Sequence, residues 1–163
     1  MLVDAHAHLT DPRYGDVAGL VGNMAADGLE KIVTVGFDLA SSIEGKVLAE
    51  RFENVYFTCG VHPSDSKGLD ETQVQKLLEL TRHPKCVAVG EIGLDYHYED
   101  TDRDAQARAL RLQLELVRQA DLPVVFHLRD AYGDFDAQVV PYLKKLPRGA
   151  VLHCYSGSKE FAL

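Results

Sequence analysis

Short runs of apolar and β-branched residues recur along the chain, and segments with a helical spacing of apolar residues separate them. Such runs predict strands. Most positions within each run are apolar and do not alternate with polar ones, which is typical of parallel strands covered on both faces. Six strands are predicted, at Leu2–His8, Lys31–Gly36, Val55–His62, Val87–Leu94, Val124–Leu128 and Ala150–Tyr155.

The segments between these runs carry the start and stop signals of helices. Ser41 and Glu44 have the spacing of a capping box, Gly28 is a good stop residue, and Pro141 predicts a kink or an early end. The longest helix has an apolar stripe of Leu110, Leu114 and Val117. The predicted helices are Asp16–Asp27, Ser41–Phe52, a segment capped by Asp70, Thr101–Ala120, Asp134–Leu146 with Asp134 as cap, and a last one from Ser158.

The chain therefore consists of six strand-then-helix units. Repeated units of this kind predict a parallel sheet with right-handed crossovers, in a barrel or a doubly wound sheet. The strands begin about 30 residues apart on average, so eight units need roughly 240 residues, the usual size of a TIM barrel. The 163 residues stop one turn into a helix, at Phe161–Leu163. We expect an α/β fold, a (β/α)8 TIM barrel truncated to about six units, with residues 1–163 as a single domain incomplete at its C-terminus.

Composition limits the partners and the compartment. The 17 basic and 25 acidic residues give a net charge of −8, which argues against binding nucleic acid through a broad basic patch. This charge does not exclude a nuclease that contacts the phosphate of its substrate through metal ions. The start of the chain does not resemble a signal peptide, and no apolar stretch approaches the ~20 residues of a membrane span. Because Cys59, Cys86 and Cys154 are few and scattered, we expect reduced thiols and a cytoplasmic protein.

Histidine or glutamate stands at the end of five of the six predicted strands. His6 and His8 are two residues apart on one strand, so both imidazoles point to the same side. A pair at this spacing suits a divalent metal. His62, Glu91, His127 and His153 stand at the ends of the third to sixth strands. Because the carboxyl ends of barrel strands meet at one mouth, these residues predict a dinuclear metal site there. Cys154 neighbours His153 but is expected to point away from the site.

At these strand ends the sequence resembles the TatD family of metal-dependent deoxyribonucleases, within the amidohydrolase superfamily. The resemblance rests on segments in the family's order: Asp4 to His8, Gly60 to Pro63, Gly90 to Tyr96, His127 to Ala131 and His153 to Gly157. It implies that His6 and His8 bind one divalent ion, that His127 and His153 bind a second, and that Glu91 bridges the two. The nitrogen-rich donor set admits Zn, Mn, Co or, less comfortably, Mg.

The resemblance also implies hydrolysis of DNA phosphodiester bonds by a metal-activated water, with trimming of strand ends and local contact with the substrate. A late-strand aspartate of the family's metal site is not in this sequence. We therefore expect the 163-residue chain to have little or no activity by itself.

Three neighbours of the predicted site keep two interpretations each. His62 contacts a phosphate or an activated water, or it packs against Pro63. Arg129 binds phosphate, as guanidinium geometry favours, or it pairs with Asp130 or another carboxylate at the rim. Asp95 orients a ligand imidazole or belongs to a structural turn. Together with Glu91, the residues His62 and Arg129 are the candidate catalytic residues.

Two alternatives to a nuclease remain open. One is an amide, lactone or ester hydrolase of the same superfamily, including a deacylase. A carboxylated lysine at the fourth or fifth strand marks many such proteins, whereas Glu91 stands there in this chain. The other is an inactive fragment that self-associates, because an incomplete barrel has unpaired strand edges and exposed apolar faces. The oligomeric state is not predicted.

Overall fold

A parallel sheet of six strands forms the centre of the molecule, and its strand order follows the order of the chain. The computed structural model describes residues 2–146, 148–153 and 155–162. The strands are β1 (Leu2–Ala7), β2 (Leu29–Thr34), β3 (Val55–Cys59), β4 (Cys86–Asp95), β5 (Val124–Arg129) and β6 (Ala150–His153). The helices are α1 (Val17–Asn23), α2 (Leu39–Arg51), α3 (Glu71–Leu80), α4 (Arg103–Ala120), α5 (Tyr132–Leu143) and α6 (Lys159–Ala162).

The six strands curl into an incomplete barrel. All five neighbouring pairs of strands are parallel, which confirms the predicted strand-then-helix order. The curl brings the carboxyl ends of the two outer strands together, since the rings of His6 on β1 and His153 on β6 stack with centroids 3.4 Å apart. The α/β fold class is therefore confirmed as six units of a barrel-type sheet.

Burial follows the position of each strand in the sheet. β4 lies in the middle and is buried along nearly its whole length, and the α4 stripe predicted from Leu110, Leu114 and Val117 is fully buried against the sheet. The outer strands leave Val3 and Val151 exposed. Among the described residues, none of the helices combines the length and apolar character needed to cross a membrane.

The caps of two helices differ from the prediction. Helix α2 begins at Leu39, because the Asp38 carboxylate accepts the Ser41 N–H at 2.7 Å and the Ser41 hydroxyl accepts the Asp38 N–H at 3.0 Å. The capping box is therefore Asp38 with Ser41, not Ser41 with Glu44. Asp134 does not cap α5, which begins at Tyr132 and has no side-chain cap.

Helix α5 also ends earlier than predicted. It ends at Leu143, two residues after Pro141, and does not reach Leu146. Proline removes one hydrogen bond from a helix interior and crowds the preceding turn, so the early end foreseen from Pro141 is confirmed.

A loop at residues 60–62, followed by a short 3-10 helix at Pro63–Gly68, replaces the end of the predicted third strand. β3 stops at Cys59, and His62 takes the position before the 3-10 helix, where its Nδ1 accepts the Ser64 N–H at 3.1 Å. Pro63 suits the first helical position because that position needs no N–H donor. The predicted strand up to His62 was therefore too long, and the correction moves His62 from a strand to a loop.

Two buried glutamines of α4 fix the chain where it leaves β3 and β4. The Gln113 side chain accepts the Val61 N–H at 2.7 Å and donates to the Val61 carbonyl at 2.9 Å. Gln106 makes the same pair of bonds with the backbone of Asp95, at 2.8 and 2.9 Å. Buried backbone groups need such partners, so α4 determines where the loops after β3 and β4 begin.

The cysteines behave as small apolar residues where they are described. Cys59 and Cys86 are buried and reduced, with their sulfur atoms 3.8 Å apart. The prediction for Cys154 concerns a residue outside the described part of the chain.

Replacing Gln113 with leucine is expected to lower the free energy of unfolding by about 2–6 kcal/mol, because two buried backbone groups of Val61 lose their partners at ~1–3 kcal/mol each. Urea denaturation of the chain measures this loss. Gln119→Leu is the matched control, since Gln119 is exposed on the same helix and should change stability by less than about 0.5 kcal/mol. Equal losses for the two variants would refute the structural role assigned to Gln113.

Candidate metal centre

The buried carboxylate of Glu91 is the centre of the predicted site. Glu91 lies in β4, in the middle of the sheet, and is 3% exposed. Its Oε1 lies 3.2 Å from Nδ1 of His127, and its Oε2 lies 3.3 Å from Nε2 of His6. The carboxylate therefore faces a histidine from each side, one on β5 and one on β1.

Two glycines allow β4 to approach β5 closely around Glu91. Gly90 and Gly93 have φ values of 147° and 151°, which side chains rarely adopt. A Cβ atom on Gly93 would overlap the His127 carbonyl oxygen, and one on Gly90 would lie 2.6 Å from the Val125 carbonyl oxygen. The close strand contact brings the Glu91 and His127 side chains within reach of each other.

His8 presents one nitrogen that is ready to bind a metal. Its Nδ1 lies 3.2 Å from the carbonyl oxygen of Val35. Because a carbonyl only accepts hydrogen bonds, Nδ1 carries the proton and Nε2 keeps its lone pair. Metal-binding histidines commonly donate their other N–H to such a carbonyl.

His6 and His153 contribute two further imidazoles. Nε2 of His6 is buried and has no hydrogen-bond partner within the described residues, although the Glu91 oxygen is near. A buried polar atom without a partner is unfavourable, and a metal ion would provide one. Burial, and then the neighbouring His6 ring, lowers the pKa of His153, which favours the neutral ring that binds metals.

The ligand atoms form two overlapping groups. His6, His8 and Glu91 offer atoms that all lie within 4.8 Å of one another, and so do His62, Glu91 and His127. Glu91 belongs to both groups. The first group contains the predicted ligands His6, His8 and Glu91. The second group contains His62 where His153 was predicted, and the His153 ring stacks instead on that of His6.

His127 is held by two carboxylates. Its Nε2 lies 2.9 Å from Oδ2 of Asp95, which is buried, while its Nδ1 faces Glu91. Burial alone lowers the pKa of His127, but the bonds to Glu91 and Asp95 outweigh burial and raise it. Burial likewise raises the pKa of Glu91, but the hydrogen bond from His127 and the close approach of the His6 imidazole outweigh it and hold that pKa far below its usual range. The centre therefore keeps an ionised carboxylate that attracts positive charge.

His62 presents an N–H donor to the centre, not a nitrogen lone pair. Burial, and then His127, lowers the pKa of His62 to about 4, so the ring is neutral at pH 7. Its Nδ1 accepts the Ser64 N–H, and a neutral imidazole has a single N–H. Nε2 of His62 therefore carries the proton and points a donor at the site, with its ring 4.3 Å from that of His127.

Arg129 stands at the mouth of the site and is exposed. It lines a cleft of about 430 Å³ together with His8, His62, Glu91, His127 and His153. Asp130 does not pair with it, since the Asp130 carboxylate lies 3.1 Å from Nδ1 of His97. Among the described residues Arg129 forms no ion pair, and its guanidinium is available to an anion in the cleft.

A curled parallel sheet that gathers imidazoles and one shared carboxylate at the carboxyl ends of its strands defines the class of barrel-type metal-dependent hydrolases. A family model described as TatD related DNase matches residues 3–163. The chain belongs to this family, and the resemblance drawn from the strand ends is confirmed.

Relatives agree with this assignment. The chain is 36% identical to an uncharacterized metal-dependent hydrolase, YabD, of Bacillus subtilis, over 99% of this chain and 64% of the relative. It is 34% identical to the 3'-5' ssDNA/RNA exonuclease TatD of Escherichia coli K12, over 98% of this chain and 61% of the relative. The crystal structure of YJJV, a TatD homologue of Escherichia coli K12, matches with a TM-score of 0.88 and 30% identity, over 99% and 62% of the two chains. The chain thus spans somewhat over three fifths of the length of these relatives.

Some contributors to the site have no clear signal in the sequence. The carbonyl of Val35, which fixes the proton of His8, is a backbone group that every residue has. Gln106, which holds the backbone of Asp95, does leave a signal, since Gln106 and Gln113 are polar residues on the same side of α4 as its buried apolar stripe. Asp95 contacts the imidazole of His127, as expected for a residue that orients a ligand imidazole.

The ring of His62 is expected to stay neutral from pH 7 down to pH 5 in the metal-free chain, because its pKa is about 4. Long-range ¹H–¹⁵N spectra should show the proton on Nε2, and the His62→Gln variant identifies the signals by their loss. A titration close to the ordinary histidine value of about 6.5, or a proton on Nδ1, would contradict the donor role.

Proposed function

We propose that this chain carries the reaction centre of a nuclease that hydrolyses phosphodiester bonds of DNA from strand ends, through two divalent ions. The observation that carries the proposal is the buried Glu91 carboxylate with imidazoles on both sides. The name of the 3'-5' ssDNA/RNA exonuclease relatives supports a nucleic-acid substrate. The same names do not favour the alternative of an amide or ester hydrolase.

Each of the two ions has its own pair of imidazoles in this proposal. His6 and His8 would hold one ion, and His127 and His153 would hold the other. Glu91 is shared because a carboxylate has two oxygens, and here Oε1 faces His127 while Oε2 faces His6. Imidazole and carboxylate donors suit Zn, Mn or Co, and Mg less well.

Bound divalent ions polarise a phosphoryl oxygen and lower the pKa of water. The residues of the chain orient the substrate around this chemistry. Nε2–H of His62 donates to a phosphate oxygen, and the Arg129 guanidinium binds another through its planar fork of donors. Asp95 keeps the His127 ring in place by accepting from Nε2.

The acidic character of the chain fits contact with a short stretch of substrate. A net charge of −8 disfavours wrapping of a long polyanion. Arg129 at the mouth of the cleft instead offers positive charge at one point. This favours action at the end of a strand.

The Glu91→Gln variant tests the proposal. With excess chain over end-labelled single-stranded DNA and added Mn²⁺, Zn²⁺ or Mg²⁺, the wild-type chain should release nucleotides slowly, and EDTA should abolish the release. Loss of the shared carboxylate should lower the rate by at least about 100-fold. Removing a residue that only hydrogen-bonds to a metal ligand already lowers activity by up to ~100-fold. Gel or chromatographic analysis of the products measures both the rate and the end attacked.

The matched control is Glu79→Gln, an exposed glutamate near the end of α3, which should cleave at the wild-type rate. Cleavage that survives Glu91→Gln or EDTA would refute the metal mechanism. Turnover of an ester or amide panel without cleavage of DNA would refute the nuclease and favour the alternative hydrolase.

Asp95→Asn is expected to weaken binding of Zn²⁺ or Mn²⁺ by about 10- to 100-fold, because the amide is a poorer acceptor for the His127 N–H than a carboxylate. Isothermal titration of the metal-free chain measures the affinity without any substrate. Asp134→Asn is the control, since the Asp134 carboxylate accepts a bond from the Tyr96 hydroxyl, not from a histidine, and it should bind metal as the wild type does. An unchanged affinity in Asp95→Asn would show that Asp95 has only a structural role.

A further inference from the structure

Tyr98 presents a large aromatic surface to solvent beside the metal centre. It lies in the loop between β4 and α4 and is 59% exposed. The Arg129 guanidinium lies over its ring, with the carbon 6.0 Å from the ring centroid. Tyr96, two residues earlier, is tied down by its bond to Asp134 and by Arg103 over its ring. Of these two tyrosines, Tyr98 is therefore the one whose ring is left open to a ligand.

The loop that carries Tyr98 is anchored. The N–H of His97 donates to the Asp95 carboxylate at 3.0 Å, and Nδ1 of His97 lies 3.1 Å from Asp130. The His97 ring stands almost perpendicular to that of Tyr98, with centroids 5.0 Å apart. The tyrosine ring thus stands on a loop held at two points, and a rigid aromatic ring loses little entropy when a ligand stacks on it.

Tyr98 and Arg129 line two different clefts. Arg129 lines the cleft of the metal centre. Tyr98 lines a second cavity of about 240 Å³, whose walls include Ser64, Lys67, Thr101 and three carboxylates, those of Asp95, Asp100 and Asp102. The Asp95 carboxylate that binds His127 also forms part of this second wall. An anion bound at Arg129 would therefore lie close to the aromatic ring of Tyr98.

An exposed aromatic ring beside arginine and lysine is the arrangement with which proteins hold single-stranded nucleic acid, because every base has a face that stacks on the ring. Arg129 and Lys67 suit the phosphates, while the hydroxyls of Ser64 and Thr101 suit polar base edges.

We propose that Tyr98 and Arg129 form a binding site for a nucleotide next to the bond that is cleaved, in which a base stacks on Tyr98 and a phosphate contacts Arg129. This inference rests on the proposed function, which supplies the nucleic-acid substrate. It adds the place at which one base of that substrate binds. Tyr98 is in this sense a binding residue that positions the strand.

The test measures binding in EDTA, where no cleavage takes place. Fluorescence anisotropy gives the affinity of the chain for a labelled oligothymidylate and for an abasic strand with the same number of phosphates. The wild type should prefer the strand with bases by roughly 5- to 150-fold, as expected for stacking of one base. Tyr98→Phe should keep the preference, and Tyr98→Ala should bring the ratio close to one.

Two further variants separate stacking from charge and from folding. Arg129→Gln should weaken binding of both strands alike and lower the slope of log affinity against log salt by about 0.7, the value for one contact on a single strand. Tyr14→Ala is the control, since Tyr14 is an exposed tyrosine on the β1–α1 loop that lines a different cavity with Val47 and Leu48, and it should keep the wild-type ratio.

The outcomes distinguish this inference from the proposed function. A base preference that Tyr98→Ala removes supports the site, even if the chain cleaves nothing. Metal-dependent cleavage of DNA by a chain that binds both strands equally, or whose preference survives Tyr98→Ala, overturns the Tyr98 site and leaves the nuclease in place. Failure to bind either strand overturns the site as well.

Discussion

The surroundings of Glu91 follow from the cost of burying a carboxylate. A buried carboxylate is strongly unfavourable unless hydrogen bonds or positive charge compensate for the lost water. His127 and His6 meet this need from two sides. Asp95 in turn holds the outer nitrogen of His127, and Gln106 holds the backbone of Asp95. The geometry at the centre of the sheet therefore depends on a series of contacts that ends in the packing of α4.

The histidines around this carboxylate differ in which nitrogen carries the proton. A backbone carbonyl places the proton of His8 on Nδ1, whereas a backbone N–H places that of His62 on Nε2. His8 thus offers a lone pair and His62 offers a donor, although both residues have the same side chain. Identical side chains in one cluster can in this way offer either a lone pair, which suits a cation, or an N–H donor, which suits an anion.

The sequence was sufficient for the strands and for the meeting of His6, Glu91 and His127, because both depend on strong patterns. Apolar runs marked β1 to β6, and the parallel order then placed His6, Glu91 and His127 at one edge. The sequence failed where two local signals compete or where a partner is distant. The spacing of Ser41 and Glu44 predicted a capping box, whereas Ser41 pairs with Asp38, which precedes it. The contact of Gln113 with Val61 joins residues 52 positions apart, which no local pattern reveals.

The two glutamine bridges have a mechanical consequence. Gln113 holds the loop that leads to His62, and Gln106 holds the end of β4 at Asp95, yet both belong to one helix. If α4 moved outward, both loops would lose their anchors in the same step, so the donor of His62 and the support of His127 would be released cooperatively. The two loops are therefore coupled through α4, and opening of this side of the site would involve both of them.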